Sequence, residues 1–126
     1  VDLDHFKRIN DRLGHPAGDM VLRQFGAILR DHVRADDVAA RIGGEEIAVL
    51  LPETALDHAR DYSERLRETV AATRFDAAGE QLEVTISIGL ALIAEGRDSV
   101  STLMRSADRG LYRAKSEGRN RVRSED

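Results

Sequence analysis

Two β-prone runs, "VAARI" at residues 38–42 and "EIAVLL" at 46–51, stand apart by only Gly43, Gly44 and Glu45. So short a link makes the pair a hairpin, and Pro52 ends its second strand because it has no N–H to give a ladder. Glycine at a strand reversal is ordinary, since it reaches φ > 0 without a Cβ clash. The adjacent carboxylates of Glu45 and Glu46 are not. They repel each other and add nothing to a turn, so they mark either a solvated tip or a site for something positively charged.

The segments around the hairpin fix the class of fold. Val1 to Leu3 read as the end of a strand. A short helix is predicted over Phe6 to Leu13, closed by Gly14, and a longer one after Pro16 with Val21, Leu22, Phe25, Ile28, Leu29 and Val33 at helical spacing. Beyond the hairpin, Leu56, Ala59, Leu66 and Val70 give another helix its apolar stripe. "LEVTISIGLALI", residues 82–93, alternates Val84, Ile86 and Ile88 with Thr85, Ser87 and Gly89 and predicts one strand. A last helix near Val100 to Ser116 buries Leu103, Ala107, Leu111 and Ala114 and ends at Gly118, with a short strand at Arg121 to Arg123. The order β-α-α-β-β-α-β-α predicts an α/β (α+β) sandwich, a largely antiparallel sheet flanked by helices.

At 126 residues and 41% hydrophobic content the chain fits one domain, burying roughly 65–70% of its unfolded surface. It has no cysteine, no apolar run near the roughly 20 residues of a membrane span and no signal-peptide pattern, which points to a cytosolic domain without a thiolate metal site. A formal net charge of −4 argues against nonspecific nucleic-acid binding. His5, His15, His32 and His58 are scattered and form no metal pattern; His15 is expected to pack or cap near Gly14. Of the 19 basic residues only Lys7 and Lys115 are lysine. Base composition would explain that, and so would two sites that need a compact ammonium rather than a planar fork.

Asp2 and Asp4 fall where the first strand gives way to a helix, and Asp4 alone reads as an N-cap. If the strand of Asp2 lies beside the hairpin, its carboxylate and the Leu3 carbonyl point to the same end of the sheet as Glu45. Those hard oxygens suit Mg²⁺. Gly43 and Gly44 would then let a phosphate approach the backbone N–H groups.

"DLDHFKRINDRLGHPAGD", "RADD", "RIGGEEIAVLLPET", "VTISIGLA" and "ADRGLYRAKSEGRNRV" resemble, in order and at nearly the same spacing from Asp2 to Val122, the GGDEF domains, the diguanylate cyclases of bacterial signalling. The resemblance implies a fold similar to nucleotidyl cyclase and polymerase palm catalytic cores. It implies condensation of two GTP into cyclic di-GMP with release of two pyrophosphates. Asp2, Glu45 and the Leu3 carbonyl would hold two Mg²⁺ per active site, with Mn²⁺ as an alternative. Glu46 would lie near the ribose 3′-hydroxyl or the metal. Asn10 and Asp19 would read guanine, while Lys115 and Arg119, with Lys7 and the backbone near Phe6, would grip phosphates. Both lysines thus fall on phosphate positions. Glu45, Glu46 and Lys115 are the expected catalytic residues, and no side chain stands out as a general base. Each domain would hold one GTP, so a homodimer of facing domains is required.

Arg34 and Asp37 match the family's R-x-x-D site for the inhibitory product cyclic di-GMP, and Arg65, on the next helix, would reach a product dimer from a neighbouring domain; taken alone, R-x-x-D after a helix is usually a surface salt bridge. Two features depart from the family. Ile47 stands where Phe is usual and is expected to pack against a helix. The family's N-terminal strand and helix lie outside residues 1–126, which are expected to be one catalytic domain of a longer cytoplasmic or membrane-anchored protein, with a sensory or receiver domain upstream and no membrane contact of its own. Two other readings are a non-catalytic receptor for cyclic di-GMP or GTP and a structural dimerisation module. The carboxylates at Asp2 and Glu45 disfavour both, because a retired site has no reason to keep a costly cluster of like charge.

Overall fold

The computed structural model describes residues 1–93 and 99–125. Strand β1 (Asp2–Leu3) leads into α1 (Phe6–Leu13) and α2 (His15–His32), joined only by Gly14 at φ 92°, whose N–H closes α1 on the Asn10 carbonyl. The hairpin is β2 (Val38–Gly43) and β3 (Glu46–Leu50), followed by α3 (Leu56–Ala72). Then come β4 (Arg74–Ala77), β5 (Glu80–Glu83), β6 (Ile86–Leu90), α4 (Val100–Ser116) and β7 (Val122–Ser124). The main sheet has the order β2-β3-β1-β6-β7, antiparallel except for β6 and β7. Among the described residues no helix is long and apolar enough to cross a membrane.

One sequence expectation is corrected. "LEVTISIGLALI" is not one strand: Leu82 and Glu83 belong to β5, Val84 and Thr85 leave the ladder, and β6 begins at Ile86. β4 and β5 form a separate hairpin closed by Ala78 and Gly79, both at positive φ. Tertiary contacts hold it. Phe75 and Ala77 are buried, and the Gln24 amide pairs with the Asp76 backbone in both directions, donating to its carbonyl at 2.7 Å and accepting from its N–H at 2.9 Å.

Strand alternation sorts the core into two layers. Leu3, Ile47, Ile86 and Ile88 share a cluster with Val21 and Phe25 of α2 and Leu66 and Val70 of α3. Ile47 packs into this core, as its apolar character predicts. Ser87 and Gly89 point to the other face, which α4 covers. The fit there is backbone to backbone: a Cβ on Gly89 would lie 2.0 Å from the Ala107 carbonyl oxygen, and one on Gly110 2.6 Å from that of Arg123. Leu111 and Ala114 are buried as expected, whereas Leu103 and Ala107 are only half-buried. They line an apolar cavity of about 550 Å³ with Val49, Leu66 and Leu90.

Candidate active site

Register places the acids. Asp2 pairs with Glu46 on β3 and with Ser87 on β6, and directly paired residues share a face. Asp2 and Glu46 therefore lie on the α4 side of the sheet. Lys115, near the end of α4, donates to the Asp2 carboxylate at 2.5 Å across 113 positions of chain. Burial pushes the Asp2 carboxyl above its usual value, partly offset by its bond to Lys115 and that cation's charge; Glu45 adds to the rise. Glu45 is thus close enough to be felt by Asp2, and its carbonyl accepts from the Leu3 N–H at 3.3 Å. Asp2, Leu3, Glu45, Glu46 and Lys115 are gathered at one end of the sheet.

Among the described residues no three His, Asp or Glu groups converge as a closed metal cage. The neighbouring carboxylates of Asp2 and Glu45 instead leave an open oxygen set, the donor chemistry that suits Mg²⁺, which keeps several positions for water and phosphate. The glycines of the turn behave differently from expectation. Neither Gly43 nor Gly44 has positive φ, so the reversal does not require them. A bulge near Ile42 and a bond from Arg41 Nε to the Gly44 carbonyl at 2.9 Å shape it. A Cβ on Gly44 would meet no atom within 4 Å. The bare backbone is open to the outside rather than packed within the chain.

Asp4 is not a helix cap. The N-cap of α1 is His5, in the left-handed region and without a side-chain cap bond. The buried Asp4 carboxylate accepts instead from Ser87 Oγ at 2.6 Å, Thr85 Oγ1 at 2.7 Å and the Asn120 backbone N–H at 3.0 Å. Asn120 and Arg119 both have positive φ, so Asp4 pins the turn that presents Arg119. Arg119 is exposed and, among the described residues, its guanidinium has no hydrogen bond or ion pair.

The remaining expected substrate residues lie on α1 and α2. Lys7 and Asp19 are exposed, and Phe6 is buried. Asn10 turns its Oδ1 inward, buried and without a partner among the described residues, against Gly18, where a Cβ would lie 1.9 Å from it. His15 neither packs nor caps: it is exposed at the start of α2, whose N-cap is Gly14.

Arg34 and Asp37 sit between α2 and β2, at the opposite end of the hairpin strand from Glu45. The Asp37 carboxylate is 1% exposed and accepts from the Arg34 backbone N–H at 2.8 Å and from its guanidinium at 3.3 Å. Arg34 Nη2 also donates to Thr54 Oγ1 at 2.7 Å. Asp37 therefore braces Arg34, and the guanidinium, 59% exposed, faces a polar pocket of about 260 Å³ shared with Thr54, His58, Tyr62 and Arg65. Arg34 and Arg65 thus meet. Thr54, His58 and Tyr62 carry no sequence signal beyond their place on and before α3.

The chain is 47% identical over 124 residues to the response regulator PleD of Caulobacter vibrioides, covering 97% of the chain and 27% of PleD. It is 48% identical over 122 residues to the diguanylate cyclase DgcP of Pseudomonas aeruginosa, covering 97% and 18%. It thus spans about a third or less of the length of these relatives. The GGDEF domain of DgcB from Caulobacter crescentus, solved in complex with c-di-GMP, superposes with a TM-score of 0.91 at 35% identity, over 97% of this chain and 72% of that one. The active GGEEF domain of a diguanylate cyclase from Vibrio cholerae does so with 0.86 at 31%, over 97% and 77%. Residues 1–121 match the family described as diguanylate cyclase, GGDEF domain, and the chain belongs to that family.

Proposed function

We propose that the protein condenses two GTP into cyclic di-GMP and two pyrophosphates, each of two facing copies of the domain holding one nucleotide. The observation that carries the reading is the gathering of Asp2, Glu45 and Glu46 with Lys115 at one end of the sheet, beside the turn that presents Arg119. Asp2, Glu45 and the Leu3 carbonyl would hold Mg²⁺, or Mn²⁺ in its place, for which their oxygens are suited. When bound, the metal sharpens the α-phosphate as an electrophile and acidifies the attacking hydroxyl.

The chain's own residues bind and orient. Lys115 leaves Asp2 for the β- and γ-phosphates, where Arg119 and Lys7 join it, and the bare backbone at Gly43 and Gly44 gives the triphosphate room. Asn10 and Asp19 read guanine, since a carboxylate accepts from N1–H and N2–H₂ and adenine lacks those donors. The 3′-oxygen of one nucleotide bonds to the α-phosphorus of the other. The bond from that phosphorus to its bridging oxygen breaks, pyrophosphate leaves and the hydroxyl proton passes to water. The reciprocal step closes the ring. Positioning and electrostatics carry the rate.

Product feedback is the second part. Arg34, braced by Asp37, and Arg65 bind cyclic di-GMP about 20 Å from the acids, the length of six residues of strand. Such binding would be noncompetitive with GTP and would hold the domains apart. That PleD is a response regulator supports control of the encounter by an attached input domain.

The test is incubation of the full-length protein with GTP and Mg²⁺ and chromatographic detection of cyclic di-GMP. Asp2→Asn and Glu45→Gln should each lose product while keeping the wild-type circular dichroism. Unchanged turnover in either removes the metal assignment. Specific activity should climb with protein concentration, and a flat dependence where the protein is monomeric refutes the facing pair.

A further inference from the structure

Tyr62 of α3 is 8% exposed, and its hydroxyl is buried with no hydrogen-bond partner among the described residues. A buried phenol ordinarily finds one, because an unmade bond costs the full desolvation of the group. Tyr62 lines both the apolar cavity and the polar pocket, whose charged and polar wall is made by Arg34, Thr54, His58, Asp61 and Arg65. Burial holds the phenol pKa above its usual value, with Asp37 adding to the rise against the pull of Arg34 and Arg65. The hydroxyl therefore keeps its proton and lies within the electrostatic reach of all three. None of them takes the bond. Asp37 accepts from Arg34, Arg34 donates to Asp37 and Thr54, and Thr54 donates to the Pro52 carbonyl at 2.9 Å.

We propose that the Tyr62 hydroxyl is a ligand-binding group of this pocket, donating to a phosphodiester oxygen of the guanine dinucleotide. This rests on the product-feedback reading given above and adds a third side chain to Arg34 and Arg65. Two guanidiniums and one O–H donor in the lining outweigh the single carboxylate of Asp61 and favour a doubly acceptor-rich anion over a neutral base edge. The volume of about 260 Å³ is below the roughly 300 Å³ at which pockets begin to enclose a small ligand, so it seats one phosphodiester and its neighbour and leaves the rest outside.

Calorimetry with cyclic di-GMP on the full-length protein, its Tyr62→Phe variant and its Arg34→Ala variant tests this, with thermal unfolding of each. The expected pattern is opposed. Tyr62→Phe should unfold at the wild-type temperature or higher, since it sheds an unpartnered hydroxyl, yet bind the dinucleotide about tenfold more weakly. Arg34→Ala should abolish tight binding. Wild-type affinity in Tyr62→Phe alongside lost binding in Arg34→Ala overturns the role of Tyr62 and leaves the feedback site standing. Wild-type affinity in Arg34→Ala overturns both. A marked drop in the unfolding temperature of Tyr62→Phe makes the hydroxyl structural and overturns the proposal. The chain has two tyrosines, and Tyr112 is exposed. In fluorotyrosine-labelled full-length protein the ¹⁹F resonance that is missing from the Tyr62→Phe spectrum belongs to Tyr62, and in the wild type it should shift on adding cyclic di-GMP. A stationary resonance overturns the assignment without any change at Tyr62.

Discussion

Replacing Asp4 with alanine should separate holding the site from doing its chemistry. The carboxylate accepts three hydrogen bonds, and bonds to a charged group contribute about 1.5–3 kcal/mol each. The three donors do not suffer equally. Ser87 is fully buried and keeps an unpartnered hydroxyl, Thr85 is half-buried, and Asn120 is exposed and turns its N–H to water. The loss should therefore be about 3–5 kcal/mol, below the sum of three full bonds and still a large share of the about 5–15 kcal/mol that holds a domain folded. Urea unfolding at neutral pH measures it. Because Asn120 adjoins Arg119, the folded fraction of Asp4→Ala should also show a raised KM for GTP with a smaller change in kcat. A loss under about 1 kcal/mol, or an unchanged KM, would refute the view that this carboxylate fixes the phosphate turn.

Asp2→Asn should remove activity and yet be at least as stable as wild type at pH 7, because burial disfavours the charged carboxylate. The folded pKa of Asp2 is raised, so its stability contribution is present below 3.8 and lost as pH rises through the folded value. Wild type should therefore gain on Asp2→Asn as pH falls toward 3.8, and urea midpoints measured across that range would read the opposite trend if Lys115 dominated. Gly18→Ala sets a Cβ against Asn10 and Phe6, so it should cost about 1–3 kcal/mol and raise the KM for GTP. Asp19→Ala should weaken GTP far more than ATP in competition binding; equal losses would mean that Asp19 holds structure rather than reading the base.

Much of the frame is legible in residue order. Helical spacing in α2, α3 and α4, and the two glycines between apolar runs in β2 and β3, report structure because each element carries its own period. The β4 and β5 hairpin is not legible. Its strands offer Phe75, Ala77 and Leu82 among Asp, Glu and Gln, its turn is Ala-Gly rather than Asn-Gly, and Gln24, some 50 positions away, completes it. The site divides similarly. Adjacent glutamates and the rarity of lysine are visible as composition, whereas the bond from Lys115 to Asp2 depends on register. Asp4 was misread because a carboxylate before a helix caps by default, and only the sheet reveals Ser87 and Thr85 beside it. Tyr62 carries no mark in the residue order, since no pattern shows that its hydroxyl lacks a partner.

The contact of Gly89 and Gly110 with backbone bears on how errors in packing spread. On the α2 and α3 side, the sheet and helices are separated by deformable side chains, and a lost methylene there is absorbed by rearrangement. Where α4 crosses the sheet at Gly89 and Gly110 there is no side chain between the two backbones to yield. Lys115 lies five residues beyond Gly110, about 7.5 Å along the helix, so its offset from Asp2 is set by a hard stop. Substitutions in the α2 and α3 layer should thus change how long the domain stays folded with little change in where its charges sit. A methyl group at residue 89 or 110 lifts α4 as a rigid rod and carries Lys115 and the Arg119 turn with it.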